Sequence, residues 1–456
     1  MMGIVDILQD ILDSSSIPWK TIITGFTVAQ FGFETYLTYR QYLALSNKTL
    51  PPVLVGEIDD ETFQKSEAYS RAKSKFSIVS NVINLAQNLI FIKFDILPKL
   101  WHLGNRFAQY FPSRFFPTST IAQSLYFLTV MSNLSALMGL PLSYYQHFVL
   151  EEKFGFNKLT IKLWISDMIK SSLLGAVIGT PVLYLFLKIF EKFPSNFLWY
   201  ICLFILVVQI LALTIIPVFI MPLFNKFTPL EDGELKTEIE NLAKKVGFPL
   251  DKIFIVDGSK RSSHSNAYFT GLPFTSKRIV LYDTLVNDST TDEIVAVLAH
   301  EIGHWQKSHL LRMLAFSETH IFLVFSLFTA AYQNKSLYNA FGFFAGSGSS
   351  SDISKVITPQ YPIIIGFLLF NDLLQPLDCL STFLTNLVSR AHEYQSDAYA
   401  KELGYASHLA RALINLQIKN LSTMNVDPLY SSYHYSHPTL AERLIAIEYK
   451  NEKKDQ

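Results

Sequence analysis

Residues 197–224 read FLWYICLFILVVQILALTIIPVFIMPLF, with one Gln and no charged side chain. A helix needs about 20 predominantly apolar residues to cross a bilayer, so this stretch reads as a membrane span. Six further stretches of the same kind flank it, at 20–43, 76–98, 119–146, 167–190, 309–333 and 361–389, with the quoted span bounded at 196–224. Composition agrees: half of the 456 residues are hydrophobic and only 17% are charged, against roughly 25% in a soluble domain. A chain with 37 Phe and 22 Tyr is too apolar to be disordered. Lys+Arg and Asp+Glu stand at 38 each, so nothing marks a nucleic-acid binder or an acidic tail. Cys202 and Cys379 both fall in apolar stretches. They make no disulfide framework and read as buried free thiols.

The basic residues predict an orientation. With loops alternating sides, 28 of the 38 Lys and Arg fall on one side and eight on the other, while Arg40 and Lys93 lie inside spans. The rich side is expected to be cytosolic. An odd number of spans then puts the N-terminus in the lumen and the C-terminus in the cytosol. The chain opens with Asp6, Asp10 and Asp13 rather than a short apolar run and cleavage site, so the first span is expected to stay as an anchor. The expected units are 1–224, five spans with their loops; 225–308, a cytosolic insert; 309–390, two further spans; and 391–456, a cytosolic segment completing the site.

Some spans are oddly polar. Ser77, Asn81, Asn84, Asn88 and Asp95 repeat at helical spacing in the second, and Asn371, Gln375 and Asp378 do so in the seventh, beside Asp372; the sixth holds Arg312, Glu318 and His320. Such groups are expensive in hydrocarbon and turn to a bundle interior or to water. Two readings follow: a dry bundle with helix-to-helix hydrogen bonds, or a wet interior chamber.

The insert reads as a small soluble unit. Leu235, Ile239, Leu242 and Val246 form an amphipathic stripe closed by Gly247 and Pro249. Strand-like runs follow at Ile253–Val256, Asn266–Thr270 and Arg278–Tyr282. Thr290 and Glu293 are spaced as a capping box, opening a helix that carries His300-Glu301-Ile302-Gly303-His304. His300 and His304 are one turn apart, so both imidazoles leave the same face and suit one Zn²⁺. Glu301 lies on the adjacent flank, placed to take a proton from the attacking water.

A catalytic zinc needs a third protein ligand. Beyond the seventh span stand Glu393 and, one turn later, Asp397. Glu393 can bind the metal while Asp397 accepts the free N–H of a ligand histidine. His392 is the rival third ligand and lacks such a paired carboxylate. Further on, Ser436-His437-Pro438 precedes Arg443. His437 suits stabilisation of an oxyanion beside the metal, and Arg443 suits either orienting a carboxylate or binding the C-terminus of a substrate.

Four segments together resemble the integral-membrane zinc CAAX prenyl proteases, most closely a fungal member: His300-Glu301-Ile302-Gly303-His304-Trp305, Arg390-x-x-Glu393-x-x-x-Asp397, Ser265-Asn266-Ala267-Tyr268-Phe269 and Ser436-His437-Pro438-x-Leu440-x-x-Arg443. The likeness runs over essentially the whole chain. It implies a polytopic α-helical membrane protein, with seven transmembrane helices forming a barrel around a polar chamber and a small α+β cytosolic metalloprotease domain. It implies one Zn²⁺ per chain on His300, His304 and Glu393, with Glu301 as general base and His437 and Arg443 at transition-state and site-organising positions. Asn266 and Ala267 fall on the edge strand along which an extended peptide lies. The implied substrates are farnesylated C-terminal peptides or proteins, cut after the Cys to release the last three residues, with a second upstream cut in specialised ones such as a mating-pheromone precursor.

Lys453 and Lys454, at −4 and −3 from the end, resemble a retrieval signal for the endoplasmic reticulum. The expected location is that membrane, extending to the inner nuclear membrane, with no nucleic-acid partner; the sequence is silent on oligomeric state. Asn334-Lys335-Ser336 is a glycosylation sequon in a loop expected to be lumenal. Two rivals remain at this point. One is a quality-control protease clearing misfolded or translocon-stalled membrane proteins. The other is a seven-helix transporter or scaffold with structural zinc, which would need four protein ligands rather than three and a base.

Overall fold

Backbone groups in hydrocarbon have no water to bond, so long apolar runs close their own hydrogen bonds as helices. The structure, a computed structural model, describes residues 9, 11–110, 114, 117, 119–272, 275–343 and 361–450. Helices α1 (Trp19–Ala44), α2 (Asp60–Lys93), α3 (Ile96–Gln109), α4 (Thr120–Glu151), α5 (Ile161–Lys192) and α6 (Phe197–Leu223) come first. The insert follows as β1 (Phe227–Pro229), α7 (Glu234–Val246), β2 (Leu250–Val256), β3 (Ala267–Thr270), β4 (Lys277–Tyr282), α8 (Asp283–Asp288) and α9 (Thr291–Gln306). The chain then makes α10 (His309–Ala331), α11 (Lys335–Ala340), α12 (Ile363–Glu402), α13 (Ala406–Lys419), α14 (Pro428–His434) and α15 (Leu440–Ala446).

Six of the described helices, α2, α4, α5, α6, α10 and α12, are long and apolar enough to cross a membrane. Helix α1, expected as the first span, has the length but not the composition, because Thr24, Thr27, Gln30 and Glu34 interrupt it. Packing nevertheless keeps α1 in the group. It lies on α2, α2 reaches α4 through α3, and α4, α5, α6, α10 and α12 follow in turn before α12 returns to α1. Seven long helices thus close a ring. Where α5 turns into α6, Phe190, Phe197, Phe325, Phe328 and Phe370 form a buried cluster that joins α5, α6, α10 and α12. Inside, Asn84 and Asn88 of α2, with Asp95 just beyond its end, line a cavity of about 470 Å³ together with Asn371, Asp372 and Gln375 of α12. Part of both polar stripes therefore lines a cavity, and Gln375 Nε2 also donates across to Thr27 Oγ1 of α1 at 3.3 Å.

Helices α2 and α12 are the longest of the described helices. At 1.5 Å per residue, α2 (34 residues) and α12 (40 residues) reach about 51 and 60 Å, against roughly 30 Å of hydrocarbon. Both project on the side of the insert. There the insert forms a four-stranded sheet of order β1-β2-β4-β3, with β2 parallel to β4 and the other pairs antiparallel. Three of its strands match the expected runs; β1, three residues ending in Pro229, is too short to show a period. Ile239 and Leu242 of α7 and Ile294, Leu298 and Ile302 of α9 pack on Ile253, Ile279 and Leu281 of the sheet. Gly247 ends α7 at φ 67°, where a side chain would be strained. The capping box of Thr290 and Glu293 is formed, and Asn415 Nδ2 donates to Glu293 Oε1 at 2.7 Å.

Asn334 is 4% exposed; its side chain caps α11 by accepting from Leu337 N and donates to the carbonyl of Leu12. The folded chain therefore does not present the sequon. The Lys453-Lys454 pair lies outside the described residues.

The C-terminal helices are tied back to the barrel by Asp427. Its carboxylate caps α14 through Leu429 N and Tyr430 N and accepts from the Arg40 guanidinium at 2.9 Å. Burial pushes this carboxyl up, but Arg40 and the two N–H groups outweigh it and leave it below its ordinary value. Asp427→Ala should lower stability by about 1–2 kcal/mol, the usual worth of such a cap. Because the folded pKa is depressed, the wild-type contribution should be complete above about pH 5 and lost as pH falls below about 4. Thermal unfolding in detergent from pH 3 to 7 checks this: a constant difference between wild type and mutant across that range would contradict it.

Candidate metal centre

Helices α9 and α12 meet at Gly303. A Cβ at this position would stand 3.0 Å from the Cα of Ser396, which is itself fully buried. Backbone cannot yield as a flexible side chain does, so the glycine sets how near the two helices lie. From α9, His300 and His304 project one turn apart; from α12, past the span 361–389, Glu393 meets them. His300 Nε2 is 3.3 Å from His304 Nε2 and 3.4 Å from Glu393 Oε2, and His304 Nε2 is 3.2 Å from Glu393 Oε1. Tetrahedral donors about 2.0–2.1 Å from zinc stand roughly 3.3–3.4 Å from one another. The three contacts are close to that length, with the two histidines meeting different oxygens of the Glu393 carboxylate. Glu393 Oε2 is moreover buried without a hydrogen-bond partner, which a cation at this place would satisfy. Burial alone would raise the Glu393 carboxyl; His300 and His304 instead hold it well below the usual carboxylate range. Among the described residues this is the group of three His, Cys or acidic side chains close enough to share one ion.

Asp397 lies one turn beyond Glu393 on the same face of α12. Its Oδ1 accepts from His300 Nδ1 at 2.8 Å, so the proton sits on Nδ1 and Nε2 keeps its lone pair for the metal. Arg443, from α15, grips the same carboxylate with Nε to Oδ2 at 2.8 Å and Nη2 to Oδ1 at 2.6 Å. Burial works to raise Asp397, but Arg443 and His300 together keep it ionised. With its fork spent on Asp397 and its side chain only 11% exposed, Arg443 fits the orienting role better than the alternative, capture of a substrate C-terminus.

Glu301 follows His300 on α9. Burial pushes its carboxyl up against the pull of His300 and His304, the direction a general base needs to work near neutral pH. His437 reaches the open side: its Nε2 is 3.4 Å from Glu393 Oε1, Ser436 Oγ meets its Nδ1 at 2.9 Å, and the side chain is 63% exposed. His392 does not join the group. Its ring stacks on His309, with centroids 4.0 Å apart.

Strand β3 is the sheet edge, paired among the described residues with β4 alone. Tyr282 N donates to the Asn266 carbonyl, so strand alternation turns the Ala267 and Phe269 backbone groups to the free side. The Ala267 N–H is taken at 2.8 Å by the side-chain oxygen of Asn266, which is exposed. Sequence reasoning missed two groups here. One is the close approach at Gly303, which only a partner helix reveals. The other is His309, five residues after His304 and off its helical face by count; Ser308 at φ 55° breaks the helix between them and turns His309 back.

Residues 229–451 match the profile of peptidase family M48, and residues 41–226 match that of the CAAX prenyl protease N-terminal region, five membrane helices. The chain is 69% identical to CAAX prenyl protease 1 of Saccharomyces cerevisiae over 98% of its own length and 99% of that protein's. It belongs to the CAAX prenyl protease 1 family of M48 peptidases. A family member from Homo sapiens, CAAX prenyl protease 1 homolog, is 37% identical over 98% of each chain. The fold matches the crystal structure of S. mikatae Ste24p with a TM-score of 0.90 and 70% identity, covering 95% of this chain and 100% of that one. Membership in this membrane metallopeptidase family leaves the transporter and scaffold readings without support.

Two substitutions test the geometry. Gly303→Ala should destabilise by roughly 1–3 kcal/mol through overpacking, less up to about 1 kcal/mol of helix propensity regained, and should weaken metal binding by moving Glu393 from the histidines. Asp397→Asn should cost about 10–100-fold in metal affinity, the usual worth of such a partner. Competition with a chelator measures both; wild-type affinity in either would contradict the stated role.

Proposed function

We propose that the protein is a zinc metalloendopeptidase that removes the aaX tripeptide from farnesylated CAAX proteins and makes a second, upstream cut in specialised substrates such as a pheromone precursor. The observation that carries this reading is the metal triangle of His300, His304 and Glu393 set at one end of a closed helical ring. The family and its relatives, named for CAAX prenyl proteolysis, support the substrate class.

Zinc held by these three residues would supply Lewis acidity, polarising a carbonyl and making water acidic enough to lose a proton near neutral pH. Glu301 accepts that proton and later passes it to the leaving amine. The free edge of β3 takes the peptide as an added strand, and Asn266 gives up the Ala267 N–H to it. His437, exposed at the open side, donates to the oxyanion of the tetrahedral intermediate. Asp397, gripped by Arg443, keeps His300 in its binding tautomer. The charge bias of the loops supports a cytosolic site and C-terminus, in the endoplasmic reticulum membrane, with a lumenal N-terminus.

Purified protein should release the terminal tripeptide from a farnesylated C-a-a-X peptide and cut the unmodified peptide far less. Glu301→Gln should keep its metal and lose about 10²–10⁴-fold in turnover. Equal cutting of both peptides would shift the reading to an unselective membrane protease. Full turnover by a zinc-loaded Glu301→Gln would remove the assigned base.

A further inference from the structure

Behind the metal face runs a chain of hydrogen bonds that the mechanism does not use. His304 Nδ1 stands 3.0 Å from His309 Nδ1. His309 Nε2 stands 3.1 Å from Gln395 Oε1, which also accepts from Arg312 Nη1 at 3.2 Å. Two ring nitrogens that face each other cannot both donate, so one carries the hydrogen and the other a lone pair. The far end of the chain decides which. Arginine only donates, so the Gln395 atom that meets it is the amide oxygen. An oxygen facing His309 Nε2 requires the proton there, and a neutral imidazole protonated at Nε2 accepts at Nδ1. The short contact therefore runs from the His304 Nδ1–H to His309 Nδ1. That leaves the lone pair of His304 on Nε2, the atom turned toward His300 and Glu393.

The ring that enforces this is itself held. His309 is 3% exposed, and the His392 ring lies on its face at an interplanar angle of 12°. It reaches this position because Ser308 takes a left-handed conformation, unusual for a residue other than glycine.

We propose that His309, held by Gln395 and Arg312, is a positioning residue that fixes His304 in its metal-binding tautomer. It does for His304 what Asp397 does for His300, but with a neutral partner in place of an anionic one. The two histidines therefore differ as donors: His300 is made the more basic by the carboxylate behind it, while His304 is oriented without added negative charge. The inference rests on the reading of His304 as a ligand.

The test uses the full chain in detergent, loaded with Zn²⁺ or with Co²⁺ and titrated against a chelator. His309→Phe keeps a stacking ring and removes both nitrogens. It should lose about 10–100-fold in metal affinity and shift the Co²⁺ absorption bands, with the Tm of the metal-free protein unchanged. His309→Asn sets an amide oxygen near the place of Nδ1 and should recover most of the affinity. Gln395→Leu, one link farther out, should show an intermediate loss and carries the test should His309→Phe not fold. Wild-type affinity in folded His309→Phe or Gln395→Leu overturns the relay. So do equal losses in the Phe and Asn variants with a matching fall in metal-free Tm, since that pattern is packing. His304→Ala separates the two levels: retained zinc there means that the ligand reading has failed, whereas lost zinc with an unaffected His309→Phe means that the relay alone has.

Discussion

The contact between Gly303 and Ser396 is the constraint on which the site depends. A metal with three protein ligands tolerates little error in where those ligands stand, and the three candidate ligands come from two helices. His300 and His304 are fixed to each other by one turn of α9. Glu393 belongs to α12, and its distance from them is the distance between the helix axes. With hydrogen in place of a methyl at residue 303, that distance shrinks until Cα of Ser396 is in contact. The rest of the insert serves this arrangement: α9 is seated on the sheet through Ile294, Leu298 and Ile302, and started by its capping box.

The same separation explains what the linear sequence disclosed. The spans were legible because hydrocarbon demands long apolar runs, and the α9 motif was legible because its chemistry is local to one turn. Polar stripes in the second and seventh spans spoke for a wet interior, since an amide facing lipid is costly; Asn84, Asn88, Asn371 and Gln375 do line a cavity. Contacts between distant elements carried weaker signals. Glu393 and Asp397, alone, are indistinguishable from a solvated helical face, and only the upstream motif and the family likeness singled them out. Arg443 had two readings until its fork was seen on Asp397. Helix α1 sits at the boundary of what composition decides, because a helix that faces a chamber on one side need not be apolar there. Strand β1 and His309 gave no periodic signal at all, the first being three residues long and the second lying beyond a break at Ser308.

The site also shows two ways of holding an imidazole. Behind His300 stands a carboxylate braced by a guanidinium; behind His304 stands a second imidazole braced by an amide. Both put the proton on Nδ1, and they differ in the charge that they bring. A metal flanked by one anionic ligand and one anionic outer partner keeps more of its positive charge than it would with two such partners, which favours polarisation of a substrate carbonyl.

Between His304 and Glu393 the chain passes through the ring twice, down α10 and back along α12. During synthesis both histidines exist before the carboxylate that completes their set. α12 also supplies the last contact that closes the ring against α1. Closure of the ring and completion of the candidate metal set thus depend on the same helix. A chain that lacks α12 therefore has neither a closed ring nor the third member of the His300, His304 and Glu393 set.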